Sequence, residues 1–406
     1  MKTPVISILM ALNALLFIII GCDPIENGPR RSDTTGGTAD RITGDGMQRH
    51  LYVSGISYPE GYDWRRDTAY GHVACNIFLM RDGKVTCQVT AGGNTGVAAA
   101  PDRHHIIDGH LYTEHTDKNQ TVIQRDGKEI LRYQGTESMR GMLTDNGKLL
   151  TLGQNTRGNG FSLRRNGKIL FESEDGVILG SFSDKAYSAS GALYIDEGRV
   201  CFSYFREKDG RRTWHFVEDG EDTPLQADGV SEIFDMRTMM GDRYAVAKLS
   251  NGAVPVLLSS SGKSDFSKSL RYHSAKDYRL SLSDGMVFFT GEYRNGQGTE
   301  LTGFWGTDGL LASIVNDCRR FRYRDGRLEF LRTSCGKVIS ATYEGDTSFI
   351  TGEWRAMTPQ CLCWAEDGPV VALTAISGNE SPAIWRGGTY TEVEVNGFLT
   401  GAAMGN

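Results

Sequence analysis

The sequence predicts an all-β protein of the β-propeller class, built from a repeated four-stranded unit. A short hairpin with an Asp-Gly or Asn-Gly centre recurs along the chain, as in residues 123–131 and 163–171. Both pairs tolerate the positive φ angles that a two-residue type I′ turn requires. Glycine accounts for 50 of 406 residues without a collagen-like period, and amphipathic helical stretches are hard to find. These observations favour strands joined by tight turns.

The hairpin glycines mark a repeat of about 40 to 45 residues, a period typical of propeller blades. They are Gly83, Gly127, Gly167, Gly220, Gly262, Gly309, Gly345 and Gly388. A second turn, such as Asp108-Gly109 or Asn146-Gly147, lies between successive markers, so each repeat supplies four strands, a to d. We expect eight blades. Seven is the alternative, because intervals of 36 and 53 residues leave room for one miscount.

The two ends of the repeat region complement each other. The first blade lacks its strand a, because the residues before His50 are too polar and glycine-rich to form one. Residues 396–404, at the other end, look like a strand a with no strand b after it. We therefore expect this C-terminal strand to complete the first blade and close the ring. Closure would remove the open sheet edges.

The N-terminal residues predict an export signal and an anchor. Lys2 precedes an apolar run over residues 5–20 and then Gly21-Cys22, which is typical of a secretory signal and too short for a membrane span. The residues Ile19-Ile20-Gly21-Cys22 resemble a bacterial lipobox, which implies a lipid on Cys22 and a membrane as partner. We divide the chain into a signal peptide (1–21), a lipidated cysteine with a flexible tether (22–46) and a propeller (47–406).

The blade pattern as a whole resembles a known group of proteins. The pattern consists of a β strand with an aromatic residue, an Asn/Asp-Gly-Lys hairpin, an apolar strand and an inner strand of small residues. Residues 51–55, the hairpins and the lipobox at Cys22 carry the resemblance. The pattern is similar to that of β-propeller lipoproteins and secreted hypothetical proteins of Bacteroidetes, over residues 47 to 406. Asp23 and Glu26 resemble the surface-export signals of such lipoproteins. The resemblance implies an outer-membrane, surface-exposed location but no particular activity.

A ligand site is expected on one face of the propeller. The b–c and d–a connections share a face, and the longest of them is the insertion over residues 57–74 in the first blade. Aromatic rings beside charged groups suit carbohydrate, because sugar faces stack on rings while hydroxyls take charged hydrogen bonds. The candidate ligand-binding residues are Tyr58, Tyr62, Trp64, Arg65, Tyr70, Trp354 and Arg355. Alternatively, these aromatic residues pin a long loop onto its own blade.

Histidines and cysteines offer weaker signals. His104, His105, His110 and His115 lie within twelve residues, but alternate strand side chains diverge, so we predict no metal site. The seven cysteines after Cys22 form no CxxC pair. We expect them to be small buried residues, with Cys75–Cys87 as one candidate disulfide.

Function is less determined than fold. No Gly-x-Ser-x-Gly elbow, His-Glu-x-x-His pair or phosphate loop is present, and we expect no cofactor. The scattered net charge of −6, without a basic stripe, argues against nucleic acid. The expected function is a membrane-anchored, surface-exposed propeller that binds a glycan or a protein partner through its loop-rich face. A polysaccharide hydrolase or lyase with an axial active site and a scaffold in an envelope complex are the alternatives. Whether the chain is an enzyme stays open, with binding favoured.

Overall fold

A computed structural model of the chain describes most of the propeller region. The described residues are 49–65, 73–93, 95, 97, 103–180, 191–225, 229–250, 255–260, 262–265, 276–283, 286–294, 297–306, 309–315, 318–324, 327–334, 337–342, 347–349, 357–365, 368–375 and 381–405. All of them belong to one of the two units into which the chain divides, Ala39–Asn406. The other unit, Met1–Thr38, lies outside the described residues, as does the predicted lipidation site Cys22.

The described strands form eight antiparallel sheets in chain order, the count that the repeat spacing favours. The first blade contains β1 (His50–Ser57), β2 (Cys75–Arg81) and β3 (Lys84–Ala91), and the second contains β4 (His104–Ile107), β5 (His110–Asp117), β6 (Gln120–Arg125) and β7 (Lys128–Gln134). The third contains β8 (Glu137–Asp145), β9 (Lys148–Asn155), β10 (Phe161–Arg165) and β11 (Lys168–Ser173). The fourth contains β12 (Gly176–Ile178), β13 (Tyr194–Asp196), β14 (Arg199–Lys208), β15 (Arg211–Glu218) and β16 (Glu221–Pro224).

The second half follows the same order of strands. The fifth blade contains β17 (Val230–Met239), β18 (Asp242–Leu249), β19 (Pro255–Ser259) and β20 (Gly262–Asp265), and the sixth contains β21 (Lys276–Ser283), β22 (Met286–Arg294), β23 (Glu300–Gly306) and β24 (Gly309–Val315). The seventh contains β25 (Cys318–Arg324), β26 (Arg327–Ser334), β27 (Lys337–Thr342) and β28 (Thr347–Phe349). The eighth contains β29 (Met357–Ala365), β30 (Gly368–Ala375), β31 (Ala383–Arg386) and β32 (Thr389–Glu392), before β33 (Gly397–Gly405).

The last strand closes the ring as expected. β33 pairs with β1 in an antiparallel register that runs from His50↔Gly405 to Ser57↔Gly397. It also contacts β29 of the eighth blade on one side and β4 of the second blade on the other. The first blade is therefore built from both ends of the propeller region, and the prediction of an all-β propeller is confirmed.

Two faces result from this strand order. The a–b and c–d turns lie at one end of every blade, and we call this end the hairpin face. In the first four blades its c–d turns are Asp82-Gly83, Asp126-Gly127, Asn166-Gly167 and Asp219-Gly220, all with positive φ. The b–c and d–a connections, including the described residues 58–65 and 73–74, lie at the opposite end, which we call the loop-rich face. β1 starts and β33 ends on the hairpin face.

The fourth blade explains the 53-residue interval between Gly167 and Gly220. Its inner strand is broken into two short pieces, β12 and β13, which both pair with β14 at different heights. Just before β13, the Ala192 N–H donates to the Arg140 carbonyl of β8 at 2.8 Å. The long interval thus contains one interrupted inner strand, and its described residues form no further repeat.

The hydrophobic core lies in layers between neighbouring blades. One layer joins Ile56 and Ile77 of the first blade to Leu111 of the second. Another joins Leu152 of the third blade to Phe202 of the fourth. Because neighbouring blades cover both faces of a sheet, the middle of the b strand is buried in the first five blades, as in β9. In the part of the chain that the structure describes, no helix has the length and apolar character needed to cross a membrane.

The proposed Cys75–Cys87 disulfide is wrong. Both residues are free thiols. In the β2–β3 hairpin Cys75 faces Ala91, whereas Cys87 faces Leu79, so the two sulfurs lie at different heights of the sheet. Adjacent strands bring two cysteines together only when they are opposite each other in the register.

Candidate functional site

The aromatic segment over residues 58–65 extends from the end of β1 across the loop-rich face. It is tied to the residue that precedes the closing strand. The Tyr58 N–H donates to the Asn396 carbonyl at 2.8 Å, and the Asn396 side-chain amide donates to the carbonyls of Pro59 at 2.7 Å and Tyr62 at 3.0 Å. Three hydrogen bonds to one asparagine therefore fix the conformation of the segment at the closure of the ring.

Tyr58 and Tyr62 form a ring pair in this segment. Their ring centroids are 5.2 Å apart and the planes are tilted by 39°. Both side chains are half-buried, and Tyr58 packs against the core layer between the first two blades. Tyr58 thus anchors the pair on the hydrophobic core, while both rings remain partly exposed to solvent. Such a fixed aromatic surface is able to stack against a sugar ring or another apolar ligand face.

Trp64 and Arg65 have a different environment. The Trp64 ring lies 5.0 Å from that of Phe398 in the closing strand, and the Arg65 guanidinium lies 4.6 Å above the indole. The Trp64 indole N–H is buried and has no hydrogen-bond acceptor among the described residues. For Trp64 the packing alternative therefore fits the contacts better than ligand stacking does.

The remaining candidates lie outside the described residues. These are Tyr70, Trp354 and Arg355. The expectation that the loop of the first blade meets the connection before the eighth blade stays a prediction.

The four histidines do not come together. His104 and His105 are both buried on β4, because both faces of this sheet are covered by neighbouring blades. His110 lies on the hairpin face with its Nδ1 2.6 Å from Asp126. Burial lowers the pKa of His115, and Arg132 acts in the same direction. Within the described ranges, no three His, Cys, Asp or Glu side chains are arranged to hold a metal ion.

Two glutamates with little exposure bind arginines of their own blade. Glu114 lies 2.5 Å from Arg103, and Glu137 lies 3.0 Å from Arg164. Glu137 also accepts hydrogen bonds from the hydroxyls of Ser162 at 2.7 Å and Tyr133 at 3.1 Å. Burial, helped by the Glu137 carboxylate, raises the pKa of Tyr133 well above its ordinary value.

Glu218 binds arginines of both the fourth and the fifth blade. Its two oxygens lie 2.6 Å from Arg199 and 2.7 Å from Arg243. Burial acts to raise the pKa of Glu218, but hydrogen bonding and charge from Arg243 outweigh it, so the pKa lies below its ordinary value. A carboxylate held ionised by two arginines is suited to joining blades and poorly suited to proton transfer.

One feature of the loop-rich face escaped the sequence analysis. The β14–β15 hairpin turns at Asp209-Gly210, and the Arg212 guanidinium lies 4.9 Å above the Phe205 ring and 2.8 Å from Glu207. Trp214 is half-buried opposite Phe205. The Asp-Gly pair was the available signal, but it marks a b–c turn here and therefore falls outside the c–d repeat.

Comparisons with known proteins support the fold alone. No protein-family model and no curated protein matches the chain. Among solved structures, it is similar to the dihydro-heme d1 dehydrogenase NirN, with a TM-score of 0.50 and 10% identity over 97% of this chain and 85% of that chain. It is also similar to the β-propeller domain of the Trilobed protease from Pyrococcus furiosus, with a TM-score of 0.42 and 11% identity over 74% and 94%. At such identities only the propeller architecture follows.

Proposed function

We propose that this protein is a lipid-anchored β-propeller that binds a glycan through its loop-rich face. The observation that carries the proposal is the Tyr58–Tyr62 ring pair, held by hydrogen bonds to Asn396. A ring pair that is already ordered loses little conformational entropy when a ligand stacks on it. Half-exposed aromatic rings on the face with the longest connection are the expected contact surface for a saccharide.

Anchoring is the second part of the proposal. The residues Ile19-Ile20-Gly21-Cys22 match the pattern of a lipobox, so Cys22 carries the lipid and the chain is held at the outer membrane, facing outward. Cys22→Ala is expected to release the protein from the membrane fraction. Unchanged retention in that fraction would refute lipidation at this residue.

Glycan binding is favoured over glycan cleavage because three glutamates of the described blades bind arginines, while Asp235, whose pKa burial raises, is held by two backbone N–H groups. Glu114, Glu137 and Glu218 each lie within 3.0 Å of an arginine. A hydrolase or lyase needs at least one carboxyl group that gains or loses a proton during the reaction. A protein ligand on the same face and a scaffold role in an envelope complex are the competing functions.

The experiment uses the propeller unit, Ala39–Asn406, in affinity electrophoresis and calorimetry against a panel of polysaccharides. Tyr58→Ala and Tyr62→Ala are each expected to weaken binding by about 1–3 kcal/mol, the scale of a lost stacking ring. Tyr390→Ala, which changes a half-buried tyrosine on the outer strand β32, is the matched control and should bind as the parent does.

The outcomes separate the competing functions. Equal binding by the parent and both tyrosine variants would refute the proposed site. Slow loss of polymer during the assay would favour the hydrolase or lyase. Absence of binding to every polysaccharide would refute the glycan ligand and favour a protein partner.

A further inference from the structure

Three neighbouring hairpins on the hairpin face carry a row of cationic residues. In the first three blades, both residues that flank the c–d turn are basic and lie opposite each other: Arg81↔Lys84, Arg125↔Lys128 and Arg165↔Lys168. We call these six residues the basic row. In the fourth blade the equivalent pair is Glu218↔Glu221, so the row ends there. Like charges directly opposite each other destabilise a hairpin, which makes their repetition unexpected for a purely structural element.

The nearby carboxylates do not neutralise the lysines. Asp82 and Asp126 turn inward, where their Oδ1 atoms accept the backbone N–H groups of Leu51 at 2.9 Å and Leu111 at 3.0 Å. Their second oxygens contact the imidazoles of His50 and His110. The third hairpin has the neutral Asn166 at this position.

The three lysines of the basic row, Lys84, Lys128 and Lys168, are exposed. None of them makes an ion pair with a carboxylate of the described residues. Their charge is therefore free to act on an external partner.

Exposed apolar side chains accompany the lysines. Val85 is 56% exposed, Ile130 36%, Ile169 42% and Leu170 44%, and all four lie on the outer strands β3, β7 and β11. They account for most of the large exposed hydrophobic side chains of the described residues. Isolated exposed aliphatic residues need no explanation, but these follow the basic row blade by blade.

The three hairpins are neighbours in space. A Cβ placed on Gly127 of the second hairpin would lie 3.3 Å from Val89 of the first blade. A Cβ placed on Gly167 of the third hairpin would lie 3.4 Å from Leu131 of the second blade. The second and third hairpins therefore pack against the outer strand of the preceding blade, which places the basic row and the exposed aliphatic side chains on adjacent blades.

The N-terminal side of the propeller enters at the same surface. β1 begins at His50 on the hairpin face, and the His50 imidazole lies 2.5 Å from Asp82 of the first hairpin. A lipid on Cys22 would be joined by the intervening chain to the end of β1 that lies at this surface. This step rests on the proposed anchoring at Cys22.

We infer that the hairpin face of the first three blades rests on an anionic lipid surface, through the basic row and the aliphatic side chains beside it. Lysine is depleted in protein–protein interfaces, whereas basic and aliphatic side chains together are typical of surfaces that bind lipid. The orientation leaves the loop-rich face, with Tyr58 and Tyr62, directed away from the membrane.

The test uses the unlipidated unit Ala39–Asn406 and co-sedimentation with vesicles. One set of vesicles is phosphatidylcholine alone, and the other also contains phosphatidylglycerol. The variant Lys84→Glu/Lys128→Glu/Lys168→Glu reverses the row. It should keep its fold, because each new glutamate faces an arginine across its hairpin. The matched control is Lys118→Glu/Lys208→Glu/Arg211→Glu, with the same change in net charge on the loop-rich face.

The parent and the control are expected to bind anionic vesicles and not neutral ones. The row variant is expected to bind anionic vesicles at least 10-fold more weakly, and added salt should reduce binding by the parent. An equal loss of vesicle binding in the row variant and in the control would show that only net charge matters, and it would overturn the inference. Failure of the parent to bind anionic vesicles would also overturn it, and would favour a protein partner for the exposed aliphatic residues.

A second readout concerns the anchored protein. In the lipidated full chain on membranes, Lys84, Lys128 and Lys168 should be acetylated more slowly than Lys118 and Lys208, and this difference should vanish in the soluble unit. Equal reactivity on membranes would overturn the inference. The Cys22→Ala release assay tests anchoring, and the glycan-binding assay with the Tyr58 and Tyr62 variants tests the proposed ligand. A negative result in either assay is therefore distinguishable from a negative result for the lipid contact.

Discussion

Asp82 Oδ1 accepts the backbone N–H of Leu51 at 2.9 Å, and the Leu51 carbonyl in turn accepts the Asp82 N–H at 2.8 Å. The c–d turn is thereby joined to the start of strand b, the neighbour of strand c in the sheet. The same side-chain contact recurs at Asp126–Leu111, Asn166–Leu149 and Asp219–Val200. The first residue of the repeated turn therefore has two roles: it adopts a positive φ and it caps an unpaired N–H group.

Substitution of Asp126 should separate these roles. Asp126→Asn keeps a side-chain oxygen that accepts the Leu111 N–H, as Asn166 does for Leu149 in the third blade. This variant is expected to change the free energy of unfolding by less than about 0.5 kcal/mol, because the exposed ion pair with His110 contributes little. Asp126→Ala leaves the Leu111 N–H without its acceptor and should destabilise by about 1–3 kcal/mol. Urea denaturation measures both. Equal destabilisation by the two variants would show that the cap does not matter.

The buried Glu218 predicts a pH dependence. Its pKa in the folded protein lies below the ordinary value, so it binds its proton less readily folded than unfolded. The stability that it contributes is therefore present above about pH 4.3 and is lost as the pH falls below this value. Glu218→Gln should destabilise the protein by about 3 kcal/mol at pH 7, because Arg199 and Arg243 lose their buried partner.

Urea denaturation of the parent and Glu218→Gln at pH 7 and pH 3 measures this effect. The difference between the two free energies of unfolding should narrow at pH 3. A difference that stays constant with pH would contradict the assignment of the titration to Glu218.

Gln154 holds the interrupted strand of the fourth blade. Its side-chain amide donates to the carbonyls of Gly160 at 2.7 Å and Gly176 at 3.1 Å, and its Oε1 accepts the Ile178 N–H at 2.9 Å. Gln154→Ala leaves the buried Ile178 N–H without this acceptor, whereas the carbonyls of Gly160 and Gly176 keep their bonds to backbone N–H groups. The variant should therefore destabilise by about 1–3 kcal/mol. Thermal unfolding measures the loss. Thr156→Ala, which removes a more exposed hydroxyl bonded to Thr136, is the control and should have a small effect.

Removal of the closing strand should abolish the native fold. Without residues 397–406, β1 presents an unpaired edge and the core layer around Leu399 opens. We expect the truncated protein to lose cooperative unfolding by circular dichroism and to aggregate. A synthetic peptide of residues 397–406, added in trans, should restore part of the signal. A cooperative transition in the truncated protein alone would contradict the role assigned to closure.

Asn396 should matter for ligand binding although it touches no proposed contact ring. Asn396→Ala removes two hydrogen bonds to the aromatic segment, at Pro59 and Tyr62. The ring pair then has to be ordered on binding, so affinity for the glycan should fall while Tyr58 and Tyr62 are unchanged. Trypsin cleavage after Arg65 should accelerate as an independent sign of the released segment. Unchanged cleavage and affinity would contradict this role for Asn396.

Local signals predicted much of the architecture correctly. The Asp-Gly and Asn-Gly pairs mark the c–d turns because few residues other than glycine, asparagine and aspartate adopt a positive φ. The turn before β18 departs from this rule, since Met240 adopts a positive φ of 54°. Asp196 of the preceding blade accepts the N–H groups of Met240 and Gly241 at 2.8 and 2.9 Å, so a neighbouring blade stabilises a turn that the local residues do not encode.

The candidate sites were less predictable. The composition of residues 57–74 pointed to the aromatic segment, but it could not distinguish the half-exposed Tyr58–Tyr62 pair from Trp64, which packs on Phe398. That distinction depends on a residue more than 300 positions away. The basic row was also missed, and the expectation of no basic stripe is corrected: the members of the row are about 40 residues apart in the sequence and become neighbours only when blades stack.

The sequence by itself determined the strand period, the turns and the need for the C-terminal strand to complete the first blade. These features depend on backbone angles and hydrophobic patterning within a few residues. Only the tertiary structure decided which side chains meet: the two arginines at Glu218, the contacts of Asn396 and the members of the basic row. The physical reason is that a blade is stabilised by its neighbours, so the position of a side chain depends on residues about one repeat away and, at the closure, on the other end of the propeller.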